Sequence, residues 1–501
     1  MAPTRFATAA TCVAALLGAA LLPGTAGAAP RPATPVLEWE ACDGGFDCAT
    51  VEVPMDHGRP HGRTIELALI RARAADPDRR IGSLFLHPGG PGGSGVDFVR
   101  AAPPPALAAI TRRFDLIGFD ARGAGHSRPR LDCGVDQEQE GIYAHPFTRP
   151  ETLDTAALAG RARRYVRRCL ERAGALMPHM STADVARDLD LLRAAVGDEQ
   201  LTYIGNSYGS LVGATYASLF PGRARALALT AAVDADTWTN RPLEALREQT
   251  ASFEDVLDRF FAACAAHPVQ CGFGGADPED AFETLLERLD ARPIPAPAST
   301  SGRPLDGDDL RVAATDAMGS PRQWPPFAAG LAAAEAGDGS LLRQTVDDVY
   351  AGASQDFDVS LATLALDQRY PRRVGPFLAA GRHAASLSPT FAFNSGYSEL
   401  PFGLVPFGRR DAFAGPFRNA PRSAPALIVG TTHDPNTPYA WSKRLTADLG
   451  NARLLTVRGD GHDVLTSLNP CVVGTLLAYL EEGVLPPAGA SCRREPPFGA
   501  A

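Results

Sequence analysis

The feature that most constrains the fold is a serine flanked by glycines between two apolar segments. Residues 205–209 read Gly-Asn-Ser-Tyr-Gly, directly after the apolar run 201–204 and before the apolar run 211–217. The five-residue pattern is common by chance, but this context predicts a strand, a sharp turn and a helix, with Ser207 at the turn. The glycines suit a strained turn, because side chains there would collide with the neighbouring strand and helix. We interpret the segment as a nucleophile elbow, which presents a serine hydroxyl above a sheet.

Other segments have the composition of strands in the same sheet. They are short and apolar or β-branched, and they cover residues 49–54, 65–70, 83–87, 114–120, 226–232, 426–430 and 453–457. Residues 182–196 have helical periodicity and lead into the elbow strand. Strands separated by helical segments predict an α/β fold with a mostly parallel sheet flanked by helices.

A long helical region interrupts this pattern. Few strand candidates occur between about residues 237 and 417, where helical segments alternate with joints rich in proline and glycine. We interpret the region as a mainly helical cap inserted into one domain, and a separate accessory domain is the alternative. The predicted organisation is a signal peptide (1–28), a linker or short pro-segment (29–40), a core in two parts (41–236 and 418–501) and the cap (237–417).

The first residues have the pattern of a secretory signal. Arg5 precedes the apolar run 6–22, and Ala-Gly-Ala at 26–28 fits a cleavage site. An uncleaved anchor is the alternative, although no later stretch reaches about 18 apolar residues. The sequence therefore predicts a secreted, extracellular protein without stable membrane association after cleavage. The net charge of -9 makes nucleic acid an unfavourable partner.

The cysteines fit an oxidising compartment. The chain has nine, and removal of the signal peptide with Cys12 leaves an even number. The alternative of a zinc site has little support, because the chain contains no C-x-x-C pair. Spacing suggests the disulfide pairs Cys42–Cys48, Cys133–Cys169, Cys264–Cys271 and Cys471–Cys492.

A serine nucleophile needs a base and an acid that orients the base. Asp434 follows the strand 426–430 and is surrounded by prolines, and His462 follows the strand 453–457. The order serine, aspartate, histidine is that of the α/β-hydrolases, and the cap accounts for the long interval after Ser207. A turn aspartate that caps the next helix is the alternative for Asp434, and a surface histidine is the alternative for His462.

Three other histidines compete with His462 for the role of base. His433 is adjacent to Asp434, so its side chain is expected to point elsewhere. His126 lies in a loop after the strand 114–120, and His87 begins a glycine-rich loop. These positions favour His462.

The glycine-rich loop is a candidate for the oxyanion hole. Residues 87–95 read His-Pro-Gly-Gly-Pro-Gly-Gly-Ser-Gly directly after a strand, where glycine backbone N–H groups can approach a substrate oxygen. We predict Gly90 as one donor and Tyr208, which follows the nucleophile, as the other. A phosphate-binding loop is excluded, because no Gly-Lys-Ser/Thr follows. The sequence also lacks H-E-x-x-H and clustered metal ligands, so no metal or other cofactor is expected.

Taken together, several blocks resemble the secreted tripeptidyl aminopeptidases, serine exopeptidases with an α/β-hydrolase fold that are related to the prolyl aminopeptidases. The blocks are residues 87–95, 119–127 (Phe-Asp-Ala-Arg-Gly-Ala-Gly-His-Ser), 182–190, 205–209, 434–438 and 461–462. The resemblance implies release of short peptides, typically tripeptides, from free N-termini. It also implies that Ser207 is the nucleophile, Asp434 the orienting acid and His462 the base. Asn206 and Ser210 depart from the family, which more often has glycine and threonine there.

The resemblance further implies a carboxylate near the cap that holds the substrate's ammonium group. The candidates are Asp234, Asp236, Glu244 and Glu248, and the alternative is that all four are solvated surface groups. Two other functions stay open. A secreted carboxylesterase or lipase would use the same three catalytic residues, and a non-catalytic binding protein would use the scaffold alone.

Overall fold

The computed structural model describes residues 32–498, except residues 103, 409–411 and 468. The predicted signal peptide, with Cys12, lies outside the described residues, as do the first three residues of the predicted linker and the last three of the chain. No helix in the described part is both long and apolar enough to pass through a membrane.

The described strands form one ten-stranded sheet in the order β1-β2-β3-β5-β4-β6-β7-β8-β9-β10. The strands are β1 (Glu40–Cys42), β2 (Phe46–Pro54), β3 (Thr64–Ala72), β4 (Gly82–His87), β5 (Phe114–Phe119), β6 (Leu201–Asn206), β7 (Ala224–Thr230), β8 (Ala426–His433), β9 (Ala452–Asp460) and β10 (Ser491–Arg493). The pairs β1–β2, β2–β3 and β3–β5 are antiparallel, and the other pairs are parallel. The predicted α/β class with a mostly parallel sheet is therefore confirmed.

Among the described residues, five α-helices precede β7, nine lie between β7 and β8, and two follow β8. The first five are α1 (Gly95–Arg100), α2 (Pro104–Thr111), α3 (Thr155–Ala173), α4 (Thr182–Ala195) and α5 (Tyr208–Leu219). The next nine are α6 (Ala235–Asn240), α7 (Pro242–Ala266), α8 (Pro268–Cys271), α9 (Pro278–Ala291), α10 (Gly307–Met318), α11 (Trp324–Glu335), α12 (Ser340–Asp367), α13 (Val374–Leu387) and α14 (Leu400–Leu404). The last two are α15 (Tyr439–Leu449) and α16 (Pro470–Glu482).

The helical region between β7 and β8, here called the cap, has an apolar core of its own. Phe260, Trp324 and Phe327 are buried in it, and the ring of Phe260 contacts the rings of the other two. Helix α12 also packs against the main domain, since Leu361 and Leu364 belong to the same apolar cluster as the elbow strand. The cap is thus joined to the sheet through a shared apolar surface as well as through its two chain connections.

Sulfur–sulfur bonds join the four cysteine pairs that the spacing suggests. They link Cys42 to Cys48, Cys133 to Cys169, Cys264 to Cys271 and Cys471 to Cys492. Because each of these sulfurs is bonded to another sulfur, none is a free thiolate for zinc.

Candidate active site

Ser207 lies at the strained turn that the sequence predicts. It connects β6 to α5 with φ 55° and ψ -124°, a conformation that L-residues rarely adopt. A Cβ at Gly205 would lie 2.2 Å from the carbonyl oxygen of Gly209, and one at Gly209 would lie 2.7 Å from the carbonyl oxygen of His87. The two glycines are therefore required by the close approach of strand, turn and helix.

Asp434 and His462 are in direct contact. Nδ1 of His462 lies 2.9 Å from Oδ1 and 3.0 Å from Oδ2 of Asp434. The Asp434 carboxylate is buried and accepts hydrogen bonds from the backbone N–H groups of Asn436 and Thr437, at 2.9 and 2.8 Å, and from Oγ1 of Thr437 at 2.8 Å. These donors fix the carboxylate in the orientation that holds the imidazole.

The parallel strands bring Ser207 to the same end of the sheet as this pair. Asn206 pairs with Thr230 of β7, and Thr230 pairs with Val429 of β8. Asp434 and His462 follow the carboxyl ends of β8 and β9. The three predicted catalytic residues thus lie beyond the carboxyl ends of strands in the β6–β9 part of the sheet, as in other open α/β sites.

A segment of the cap holds the loop that carries His462. The backbone N–H of His462 donates to the carbonyl oxygen of Gly319 at 2.8 Å, between α10 and α11. Oγ of Ser320 donates to Asp463 at 2.7 Å, and Arg494 forms an ion pair with the same carboxylate. Arg259 of α7 pairs with Asp460 at the other side of the histidine. The position of the imidazole therefore depends on the cap.

The glycine-rich loop lies directly against Ser207. Gly89 has φ +120°, and a Cβ there would lie 2.9 Å from both the carbonyl oxygen of Asn206 and Cβ of Ser207. The candidate donor Gly90 is the next residue. Tyr208 is the first residue of α5, so its backbone N–H has no acceptor within the helix. The predicted donors therefore belong to two segments that meet at Ser207.

The competing histidines have other partners. Nδ1 of His433 lies 2.8 Å from Asp255, and Nε2 of His126 lies 3.0 Å from Asp97. His87 is buried, and its Nδ1 accepts the N–H of Gly89. The contact with Asp434 thus favours His462 as the base.

The four carboxylates suggested for ammonium binding each have an arginine partner. Asp234 caps α6 and pairs with Arg444, and Glu248 also pairs with Arg444. Asp236 and Glu244 pair with Arg241 at 3.4 and 3.3 Å. An incoming ammonium group would have to compete with these guanidinium groups. The alternative was that all four carboxylates are solvated surface groups. Asp234 is buried, so this alternative does not hold for it.

Asp356 is a carboxylate beside the glycine-rich loop that the sequence did not indicate. It lies on α12 against the glycine-rich loop, where a Cβ at Gly92 would be 3.0 Å from its Oδ1. Burial, with a smaller contribution from the charge of Asp120, raises the pKa of Asp356 to about 6. Among the described ion pairs, none involves Asp356. No motif could reveal it, because it lies within a long helix and only the packing of the cap brings it to the loop.

Comparison with known proteins identifies the family. A family model described as the alpha/beta hydrolase fold matches residues 82–466, which include the elbow, Asp434 and His462. The chain belongs to the α/β-hydrolase family. Its strand order and the site at the carboxyl ends of the strands agree with this assignment.

Three relatives of known name indicate which kind of α/β-hydrolase this chain is. The chain is 33% identical to serine protease Hip1 of Mycobacterium tuberculosis over 488 residues, which are 93% of this chain and 92% of that protein. It is 32% identical to carboxylesterase B of the same organism, with 93% and 92% of the chains covered. It is 30% identical to tripeptidyl aminopeptidase of Streptomyces lividans, with 92% and 87% covered. The chain is a serine hydrolase, and the suspected relationship to the tripeptidyl aminopeptidases is confirmed.

Proposed function

We propose that this chain is a secreted serine aminopeptidase that releases short peptides, in steps of three residues, from free N-termini. The observation that carries the proposal is the contact of His462 with buried Asp434 at the end of the sheet where Ser207 lies. The relative named tripeptidyl aminopeptidase supports the step size.

The proposed reaction proceeds through an acyl-enzyme. Oγ of Ser207 attacks the carbonyl carbon of the scissile peptide bond, and Nε2 of His462 takes the hydroxyl proton. Asp434 accepts the Nδ1–H of His462 and stabilises the imidazolium that forms. His462 then gives the proton to the leaving amine, and in the second half-reaction it activates a water that hydrolyses the ester.

The oxyanion that forms in each half-reaction is stabilised by backbone donors. We assign these donors to Gly90 and Tyr208, because the glycine loop and the start of α5 meet at Ser207. Such donors act on charge that develops in the transition state, so they raise kcat more than they improve substrate binding.

Contacts between the cap and the catalytic loops favour cleavage near a chain end. Oγ of Ser252 on α7 donates to the carbonyl oxygen of Asp434 at 2.8 Å, and Oγ of Ser360 on α12 donates to that of Pro91 at 3.0 Å. Gly319 accepts from the backbone of His462. A cap in contact with all three loops restricts the paths by which a folded polypeptide can reach Ser207.

Asp356 is our candidate for the group that recognises the free N-terminus. Its carboxylate is half-buried beside the glycine-rich loop and has no cationic partner among the described ion pairs, unlike the four carboxylates suggested by the sequence. A peptide N-terminus is cationic below a pH of about 8. An ammonium group beside Asp356 would supply the missing counter-charge in a partly desolvated site.

Secretion is supported by the predicted signal peptide and by the disulfides. Four cysteine pairs are bonded in the described structure. Disulfides persist in oxidising compartments and are rare in the cytosol.

The second candidate function is that of a carboxylesterase, which the relative named carboxylesterase B favours. Ester hydrolysis would use the same three residues but would not require recognition of an ammonium group. The two functions therefore differ in whether the substrate must carry a free N-terminus.

Three chromogenic substrates separate the two functions. We expect Ala-Pro-Ala-p-nitroanilide to be hydrolysed, its N-acetylated form to be hydrolysed at least about tenfold more slowly, and Ser207→Ala to abolish both reactions. Equal rates for the free and acetylated peptides, or hydrolysis of p-nitrophenyl butyrate without hydrolysis of either peptide, would favour the esterase.

A further inference from the structure

His87 lies at the point where the two proposed oxyanion donors approach each other. It is the last residue of β4 and is 1% exposed. Its ring contacts Phe119 and Tyr208 edge-on, with centroids 5.5 and 5.7 Å apart. The residue is thus buried between the strand that leads into the glycine loop and the helix that begins after the nucleophile.

One ring nitrogen of His87 forms a hydrogen bond inside the glycine loop. The N–H of Gly89 donates to Nδ1 of His87 at 3.1 Å. An accepting Nδ1 carries no proton, so a neutral ring carries its proton on Nε2. Burial lowers the pKa of His87 to about 4, which keeps the ring neutral under ordinary conditions. Nε2 has no hydrogen-bond partner among the described residues, so the polar contact of this side chain is with Gly89.

This hydrogen bond fixes the residue that adjoins the nucleophile. Gly89 lies so close to Ser207 that a Cβ on the glycine would be 2.9 Å from Cβ of the serine. Gly90, the proposed first donor, follows directly. A rotation of the peptide unit at Gly89 would therefore change both the distance from the loop to Ser207 and the direction of the next N–H group.

The other side of the ring supports the second donor. The imidazole packs against the side chain of Tyr208, whose backbone N–H is the proposed partner of Gly90. The carbonyl oxygen of His87 lies against Gly209, one residue later in the same turn. One side chain therefore contacts both segments that form the oxyanion hole.

We propose that His87 is a positioning residue of the oxyanion hole, whose neutral imidazole sets the separation and direction of the Gly90 and Tyr208 backbone donors. This inference rests on the catalytic roles proposed for Ser207, Gly90 and Tyr208. If His87 only filled space in the core, leucine could replace it, because leucine has a similar volume. Leucine has no acceptor for the Gly89 N–H, so this replacement removes the hydrogen bond alone.

The test compares His87→Asn with His87→Leu. Asparagine places an acceptor oxygen near the position of Nδ1, and leucine does not. We expect His87→Leu to lower kcat for p-nitrophenyl butyrate about tenfold to hundredfold, a loss comparable to a misplaced oxyanion donor. We expect KM to change less than about threefold and His87→Asn to retain most of kcat, because the loss is confined to the transition state.

A trifluoromethyl ketone gives a second readout, since its adduct with a serine places a negative oxygen in the oxyanion hole. We expect its inhibition constant to rise in His87→Leu by about the same factor as kcat falls, and to change little in His87→Asn. His126→Leu is the matched control, because His126 is an exposed histidine whose side chain contacts Asp97. Thermal unfolding and circular dichroism verify that each variant is folded.

The inference is overturned if folded His87→Leu retains kcat within about twofold, or if His87→Asn loses as much kcat and inhibitor affinity as His87→Leu. Failure of the proposed function gives a different result. If Ser207→Ala retains activity, the catalytic assignment itself is wrong. If the ester is hydrolysed but free peptides are not, only the aminopeptidase specificity is wrong, and the His87 comparison still holds.

Discussion

Nδ1 of His462 lies within hydrogen-bond distance of both carboxylate oxygens of Asp434, at 2.9 and 3.0 Å. The aspartate is buried and already accepts hydrogen bonds from two backbone N–H groups. It can therefore accept from the imidazole without rotating, so the ring is held with Nε2 directed away from it.

Replacement of Asp434 by asparagine should disable the base without unfolding the chain. The amide group would present an N–H in place of one oxygen and favour the wrong histidine tautomer, so we expect kcat to fall about 10³-fold to 10⁴-fold. Ester hydrolysis measures this loss. Asp255→Asn is the control, because Asp255 pairs with His433 near the same loop. A decrease of less than about tenfold in Asp434→Asn would contradict the assignment.

Replacement of Asp356 by asparagine should impair peptides and spare esters. We expect KM for Ala-Pro-Ala-p-nitroanilide to rise about tenfold or more, because a counter-charge for the ammonium group is lost, and KM for p-nitrophenyl butyrate to be unchanged. A rise in KM with Asp236→Asn, and none with Asp356→Asn, would return the role to the carboxylates that the sequence suggested.

The same carboxylate predicts a pH dependence. Since the pKa of Asp356 is raised to about 6, the group is ionised above that pH and neutral below it. KM for the free peptide should therefore rise as the pH falls through about 6, while KM for the ester stays flat over the same interval. In Asp356→Asn the peptide profile should lose this step. An identical step in wild type and variant would assign it to another group.

Introduction of a methyl group at Gly89 should displace the glycine loop from Ser207. Its Cβ would lie 2.9 Å from backbone and side-chain atoms of residues 206 and 207, and its φ is +120°. We expect Gly89→Ala to lower kcat by at least about tenfold. Gly197→Ala is the matched control, since Gly197 also has a positive φ of +84° but nothing within 4 Å of its Cβ position. Equal kcat in the two variants would show that the contact with Ser207 is unimportant.

Glu399 should make the stability of the cap depend on pH. Burial raises the pKa of this carboxyl from 4.5 to about 8, and among the described residues Ser398 alone donates a side-chain hydrogen bond to it. Between these values the unfolded chain releases the proton and the folded chain keeps it, so the free energy of unfolding falls as pH rises. Glu399→Gln removes this effect. The free energy of unfolding of the variant minus that of wild type should increase from pH 4.5 to 8 and level off above pH 8. Urea unfolding measures this difference, and a difference that does not change with pH would contradict the prediction.

Local patterns in the sequence predicted the sharp turn at Ser207, and its catalytic role stays a prediction. The elbow and the glycine loop are determined by residues that are neighbours in the sequence. The glycines in these segments indicate that backbone segments approach each other closely. The longer strands were predicted because they are buried and apolar. The strands β1 and β10 were not predicted, because they have only three residues each and pair at the edges of the sheet. Such short edge strands leave almost no periodicity to detect.

The carboxylate that we propose for recognition of the substrate was not predictable in the same way. Arg444, which neutralises two of the suggested carboxylates, comes from α15 and is separated from Glu248 by 196 residues. Asp356 is brought to Gly92 only by the packing of α12 on the glycine loop. Partners so distant in the chain are determined by the tertiary fold, and a single sequence gives no signal for them.

Mass spectrometry of the products formed from an unblocked nonapeptide tests the proposed aminopeptidase activity. We expect successive release of tripeptides from the N-terminus by the wild-type enzyme, no products with Ser207→Ala, and little cleavage of the N-acetylated peptide. Internal cleavage, equal cleavage of the acetylated peptide, or the same products with Ser207→Ala would contradict it.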